Sequence, residues 1–381
     1  MKILIAGDFA PKARLAKLIE GERYSEVFPE DLLEIVRAAD FSFANFESPI
    51  VEDRVYMAIP KCGPNLKCTK EAAKAVRYAG FTGVTLANNH ILDYGAKGLN
   101  CTVKCCKSLG LNVIGVGNNL TDAGKILYLK KEGTTLAVIN CCEHEFSIAT
   151  DTEAGANPLD PVMQFYQIQE AKANADHVLV IVHGGHEHFQ LPSPRMMETY
   201  RFFIDAGADA VVNHHQHCYS GYEIYKNKPI FYGLGNFCFD EDSLRKCFWY
   251  QGYMIDLYFS DKSVNFTLYP YSQCNESASV NLLYGEDRKK FEKELKNLNR
   301  IISNETLLKD HVRIYYGKCS AGELSILEPY SSRVSRKLYS LGLLPGFIKG
   351  RKLASVLNHI GCESHRDKML FALNQKNKYG K

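Results

Sequence analysis

Seven apolar runs rich in β-branched residues recur up to residue 212, at Lys2–Gly7, Phe41–Asn45, Gly83–Ala87, Val113–Val116, Thr135–Asn140, His177–Val182 and Ala208–Val212. Stretches with helical spacing separate them, including Glu30–Ala39, Lys70–Ala79, Gly98–Leu109, Val162–Asn174 and Arg195–Ala206. Strands alternating with helices of this length read as βαβ units, a largely parallel sheet with helices packed on it. The spacing is regular and no linker interrupts it through about residue 272. One domain is therefore expected over residues 1–275.

Beyond residue 212 the pattern changes. Tyr222–Tyr225 and Pro229–Tyr232, separated by Lys226-Asn227-Lys228, predict a hairpin, and further strands are expected at Tyr253–Phe259 and Val264–Tyr269. From about Asp287 the chain reads as helical, and Arg288–Arg300 mixes Lys and Arg with Glu in the manner of a solvated helix face. Residues 276–381 are thus expected to form a mainly helical C-terminal extension. Its stretch 329–362 holds Arg333, Arg336, Lys337, Lys349, Arg351 and Lys352 among leucines, with no acidic residue. Such a stretch either packs as ordinary helices with basic faces in water or docks on a membrane surface or a polyanionic partner.

Charge excludes some functions. The 46 basic and 43 acidic residues leave a net charge of +3, which predicts no nucleic-acid partner, so a small-molecule or polymer substrate must be recognised locally. The opening Met-Lys-Ile-Leu-Ile-Ala-Gly-Asp is too short for a signal-peptide core, and no apolar run approaches the roughly 18 residues of a membrane span. A cytoplasmic location is expected. The 13 cysteines then read as reduced thiols, with Cys105-Cys106 and Cys141-Cys142 as small core residues. Cys62 and Cys68 alone have a loosely metal-like spacing.

Five predicted strands end in residues able to hold a cation. Asp8 follows the first, Glu47 the second, Asn88-Asn89-His90 the third, His183 the sixth and Asn213-His214-His215-Gln216-His217 the seventh. Placed in one sheet, these ends would converge on a common edge, where ligands of open α/β sheets collect. Carboxylate, amide and imidazole together suit Mn, Fe or Zn. Of the 12 histidines, six lie between His183 and His217. Among them His183, His215 and His217 read as ligands, whereas His186, His188 and His214 read as loop or core hydrogen-bonders. His90 is placed to protonate a leaving oxygen, with Asp93 holding its ring in one tautomer. Asn88 and Glu187 read as substrate-facing, Glu187 with ring orientation as its alternative.

Several blocks together resemble a known family: Gly7-Asp8, Asn45-Phe46-Glu47-Ser48-Pro49, Leu86-Ala87-Asn88-Asn89-His90-Ile91-Leu92-Asp93-Tyr94-Gly95, His183-Gly184-Gly185-His186-Glu187, His214-His215-Gln216-His217 and Lys228 through Phe237. In this order they resemble the CapA-like family of capsule and poly-gamma-glutamate synthesis, related to calcineurin-like metallophosphoesterases. The resemblance implies an α/β fold, a metallophosphoesterase-like sheet sandwich flanked by helices, here with a C-terminal helical extension. It implies one or two divalent metal ions (Mn, Fe or Zn) on Asp8, Glu47, Asn89, His183, His215 and His217, with His90 as the catalytic acid. Asn236 would line the site or serve a turn with Gly235.

Departures from the broader pattern bear on function. Asp8 is followed by Phe9 and Ala10 where a second His is usual, Glu47 stands for a bridging Asp, and Asn213 and Gln216 replace Gly and Pro. His-Gly-Gly replaces His-Trp-Gly, which removes an aromatic wall. The expected function is hydrolysis of a phosphate ester in capsule or exopolymer metabolism by metal-activated water. The alternatives are a non-hydrolytic component of capsule or poly-gamma-glutamate assembly, docking on membrane or capsule machinery through 329–362, and amide hydrolysis on a γ-linked glutamyl chain.

Overall fold

The first predicted strand becomes the centre of a sheet. In the computed structural model, which describes residues 1–52, 56–241, 248–260 and 263–379, Lys2–Phe9 pairs in parallel with Phe41–Phe46. The parallel order continues through Gly83–Thr85 to Asn112–Ile114. On its other side Lys2–Phe9 meets Gln251–Ser260 in antiparallel register, followed by Ser263–Gln273 and Val280–Leu282, while Asn236–Cys238 lies beside its end. Ile3 through Phe9 are all buried, as expected of a parallel strand covered on both faces.

A second sheet holds the later strands. Thr134–Cys142, His177–His183, Ala210–His214 and Lys228–Phe231 run parallel within it, and Leu127–Lys131 and Tyr222–Tyr225 close its edges in antiparallel register. The two sheets face each other: the ring of Phe231 in the second meets Phe266 of the first edge-on with centroids 5.1 Å apart, and His177 meets Phe259 at 5.3 Å. The single sheet read from the strand-end residues is therefore corrected to two, which is the sheet sandwich that the family resemblance implied. Unbroken apolar runs report that a strand is buried, not which strand it pairs with.

Gly115 marks the break between sheets. The run expected at Val113–Val116 splits into Asn112–Ile114 and Val116–Gly117, and the latter pairs with Gly155–Ala156 in a separate ribbon. Gly115 has φ +91°, and a Cβ there would lie 2.1 Å from Asn140 Oδ1. Only glycine fits.

Local signals explain the helices that buttress the sheets. Asp160 caps the helix Pro161–Asn174 by accepting from Val162 N at 2.8 Å, with proline at the first helical position. Ser193 caps Pro194–Ala206 likewise, and Gly207 at φ +123° ends it. The predicted hairpin forms with Lys226 and Asn227 at φ +50° and +64°, the paired positive angles that match strand twist.

The described chain divides into two compact units, Met1–Leu308 and Lys309–Lys381. This is later than the boundary expected after residue 275. Val280–Leu282 still belongs to the first sheet, and the helix Gly285–Ile302 buries Phe291, Leu295, Leu298, Ile301 and Ile302. Tyr219 packs against Phe291 with ring centroids 4.4 Å apart and tilted by 40°, and donates to Glu294 at 2.7 Å. The charged alternation of 288–300 is the solvated side of a helix whose other side is core. The second unit is helical over Arg333–Ser340, Gly350–Gly361 and Glu363–Tyr379, with Glu328 accepting from the amides of Phe347 and Ile348. Among the described residues no helix is long and apolar enough to cross a membrane.

Candidate metal site

Asp8 sits at the end of Lys2–Phe9, where the register with Phe41–Phe46 shifts between Ala6 and Asp8. The preceding Gly7 is obligatory there, because a Cβ would lie 1.9 Å from Gly235 O. Asp8 is fully buried, with Asn45 Nδ2 donating to Oδ1 at 2.7 Å and His215 N donating to Oδ2 at 3.2 Å. Burial alone would raise its carboxyl, but the His214 ring, with Nδ1 3.4 Å away, the charge of His217 and the Asn45 amide hold it below its ordinary value.

From the facing sheet come the imidazoles. His183 ends its strand, and Ala210–His214 stops just short of His215 and His217. Both of the latter have positive φ, +90° and +56°, an unfavourable backbone for a non-glycine residue that tertiary contacts must enforce. His183 Nε2 lies 3.0 Å from Asn89 Oδ1, 3.1 Å from His215 Nδ1 and 3.4 Å from Glu47 Oε1. Four atoms with lone pairs thus crowd one point with few protons to share among them. His217 contributes to a neighbouring point, with Nε2 3.7 Å from Glu47 Oε1 and Nδ1 3.6 Å from Asp8 Oδ2.

Two triads able to hold a cation emerge, Glu47–His183–His215 and Asp8–Glu47–His217, each with its candidate donor atoms within 4.8 Å of one another. They share Glu47. This carboxylate is fully buried and neither oxygen has a hydrogen-bond partner. Burial, with the charges of Asp8, Glu187 and Glu145, pushes it well above the usual carboxylate range. An orphaned acid between two clusters of imidazole and carboxylate is a donor set that fits divalent cations. Burial likewise pushes His183 well down and His215 down, which keeps both imidazoles neutral and available as ligands.

His90 Nδ1 lies 2.7 Å from Asp93 Oδ2, the pairing expected of them. The structure adds Lys61, whose buried ammonium bonds Asp93 Oδ1 and lies 3.2 Å from His90 Nδ1. Burial outweighs Asp93 and, with Lys61, holds the imidazole below its ordinary value. Asn88 and Asn236 are fully buried and their amides are engaged by the protein. Asn88 donates to Phe46 O at 3.0 Å and accepts from His90 N at 3.1 Å. Asn236 Oδ1 lies 2.9 Å from His217 Nδ1, and its Nδ2 donates to His217 O at 3.2 Å. Glu187 is exposed, and its charge reaches Glu47 and His215.

Other groups at the site escaped the sequence reading. Asn45 spans Asp8 and His183, from whose Nδ1 it lies 3.1 Å. Glu145 lies 3.5 Å from His215 Nε2 and accepts from Asn89 Nδ2 at 3.0 Å. It follows a predicted strand by five residues, so the strand-end rule that found the others reaches it too. Lys61 carried no signal. An aromatic ring stands by the site from another segment: Trp249 lies 4.9 Å from the His217 ring and stacks on His188 at 5.5 Å. Cys62 is exposed while the buried Cys68 thiol donates to Ser48 O at 3.4 Å, and they share no cation-sized cluster among the described residues.

These features define a two-sheet α/β protein with a histidine- and carboxylate-rich candidate metal centre between the carboxyl ends of strands from both sheets. Residues 2–241 match the model of the bacterial capsule synthesis protein PGA_cap family, and the chain belongs to that family. It is 35% identical over 239 residues to the PGA biosynthesis protein CapA of Bacillus subtilis, covering 62% of each chain, and 38% identical over 213 residues to the capsule biosynthesis protein CapA of Bacillus anthracis, covering 54% of this chain and 52% of that one. The matched segment thus spans less than two-thirds of each curated relative's length. Among solved structures, a novel phosphatase from Mycoplasma pneumoniae aligns at 16% identity and TM-score 0.46 over 72% of this chain and 95% of its own. A putative 5′-nucleotidase from Staphylococcus aureus, in complex with alpha-ketoglutarate, aligns at 17% identity and TM-score 0.43 over 78% and 58%.

Proposed function

We propose that this chain is a metal-dependent hydrolase of phosphate esters acting in capsule or exopolymer metabolism. The observation that carries the reading is the sharing of orphaned Glu47 by two ligand triads, with the His90–Asp93 pair alongside. Asp8, Glu47 and His217 would hold one divalent ion of Mn, Fe or Zn, and Glu47, Asn89, His183 and His215 another. When bound, such ions lower the pKa of water and polarise phosphoryl oxygens.

The protein's own groups do the rest. Asn236 fixes Nδ1 of His217 and so directs Nε2 to the cluster, as the outer partner of a ligand imidazole does. Asn45 and Glu145 orient Asp8, His183, His215 and Asn89 in the same way. Asn88 holds the chain leading into His90. His90 delivers a proton to the leaving oxygen, with Asp93 setting its tautomer and Lys61 anchoring Asp93. Glu187, exposed at the rim, meets the polar part of the substrate.

Bound Mn, Fe and Zn are to be measured on the purified protein, followed by turnover on generic phosphomonoesters and phosphodiesters. Metal with turnover supports the hydrolase, and absence of metal overturns it. One observation favours a second reading, a non-hydrolytic component of capsule assembly with a structural ion. Phe9 and Ala10 are buried where a further ligand would stand, so the Asp8 cluster has fewer donors than the Glu47–His183–His215 side. Tightly held metal with no turnover on any of these esters selects that reading. The stretch 329–362, which exposes Val334, Leu341, Leu343, Phe347, Leu357 and Ile360 among its basic residues, would then serve as the contact with membrane or capsule machinery.

A further inference from the structure

A second group of cation donors lies away from the histidine centre. Cys101 and Cys105 occupy successive turns of the helix Gly95–Ser108, so their side chains stack on one face. Glu52 approaches from another segment, and a carboxylate oxygen and the two Sγ atoms all lie within 4.8 Å of one another. Tetrahedral coordination by thiolate and carboxylate places such ligands about 3.8 Å apart, within reach of small side-chain rotations.

Hydrogen bonds preset this approach. Ile50 N donates to Thr102 Oγ1 at 2.7 Å, and Thr102 stands in the helix directly after Cys101. Val51 N donates to Cys68 O at 2.9 Å, and Ile50 bridges Cys68 in parallel. Two residues beyond Ile50, Glu52 is therefore held over the cysteine face. Cys101 and Cys105 pack partly buried against the core, so the core position expected of Cys105 is corrected to its margin, and the acid beside them is exposed.

We propose that Glu52, Cys101 and Cys105 form a second cation site, selective for a soft or borderline divalent ion such as Zn(II) or Cd(II), with the fourth position left to water. Two sulfurs and one carboxylate distinguish it from the oxygen- and nitrogen-rich histidine centre. The same stretch of chain carries Glu47, so an ion here would fasten the Glu47 loop to the helix Gly95–Ser108. The inference stands whether or not the histidine centre is catalytic.

Cd(II) titration of the reduced full chain, followed by thiolate-to-metal charge-transfer absorption in the ultraviolet, is silent to an ion at the histidine centre, which has no sulfur ligand, and comparison with the double cysteine substitution separates Cys101 and Cys105 from the other free thiols. One equivalent should saturate the band, and His183→Ala should leave it intact. Cys101→Ser with Cys105→Ser should abolish it, and Glu52→Gln should weaken the site by about 10- to 100-fold. On the unsubstituted protein, stoichiometric Zn(II) should slow iodoacetamide alkylation of Cys101 and Cys105, mapped by peptide mass spectrometry, by about tenfold or more. No band with the parent protein, a band that survives the double substitution, or alkylation of the pair unaffected by Zn(II) overturns the proposal.

Discussion

Substituting Glu47 tests the centre of the argument, because this one carboxylate is asked to serve two clusters. Its oxygens have no hydrogen-bond donor, and it is buried beside Asp8. In metal-free protein it is therefore a source of instability. Leaving a buried polar group unsatisfied costs about 1–3 kcal/mol. Glu47→Gln keeps the shape, removes the acid and supplies an N–H toward His183 Nε2 and His217 Nε2, which lie 3.4 and 3.7 Å from Oε1. Metal-free Glu47→Gln should then unfold later than the parent by about 1–3 kcal/mol. At roughly 2–4 °C per kcal/mol for a large domain, that is a rise in Tm of roughly 2–12 °C. With Mn(II) or Zn(II) at about 100 times its Kd, the parent should gain about 2.7 kcal/mol and the variant little, so the gap between them closes, and it reverses wherever the variant's metal-free advantage is smaller than that gain. Differential scanning fluorimetry after chelation and after metal addition measures both arms. A variant that is less stable without metal, yet shows the parent's full metal-induced shift, would refute the shared-ligand reasoning.

His90→Asn should retain metal by mass-spectrometric analysis while losing turnover on phosphate esters, since His90 bonds Asp93 and Lys61 rather than either triad. Asn236→Ala frees Nδ1 of His217 and should weaken metal binding about 10- to 100-fold in competition with a chelating dye, with the fold kept. Lys61→Met leaves Asp93 buried without its counter-charge and should destabilise the protein by about 3–5 kcal/mol in urea unfolding. Gly7→Ala drives a Cβ to within 1.9 Å of Gly235 O and should cost about 3 kcal/mol or more, seen as insoluble or chemically labile protein.

Much of the site was legible because each donor follows a buried strand. Asp8, Glu47, Asn89, His183, His215 and His217 follow apolar runs, and the structure brings all six together. His214 reads from the sequence as a loop or core hydrogen-bonder, and in the structure it is the last residue of its strand, with Nδ1 3.4 Å from Asp8 Oδ1. Lys61 lay outside any periodic segment, and nothing in its neighbours marks an ammonium as buried. Trp249 reaches His217 from just beyond the last family motif, where no residue type or spacing marks it as part of the site.

From the order of its residues alone, this chain was committed to alternating strands and helices, to donors at strand ends and to the motifs of its family. Those are local properties, set by which side chains one segment must hide and by what stands next to them. Only the tertiary structure decided which of the two facing sheets each donor comes from, that Glu47 stands between both clusters, that Asn45 and Glu145 bond residues of the triads, and that Lys61 bonds Asp93. Pairing partners, shared ligands and outer hydrogen bonds join segments separated by tens to hundreds of residues, and hydrophobic periodicity records the burial of a strand without recording its neighbours.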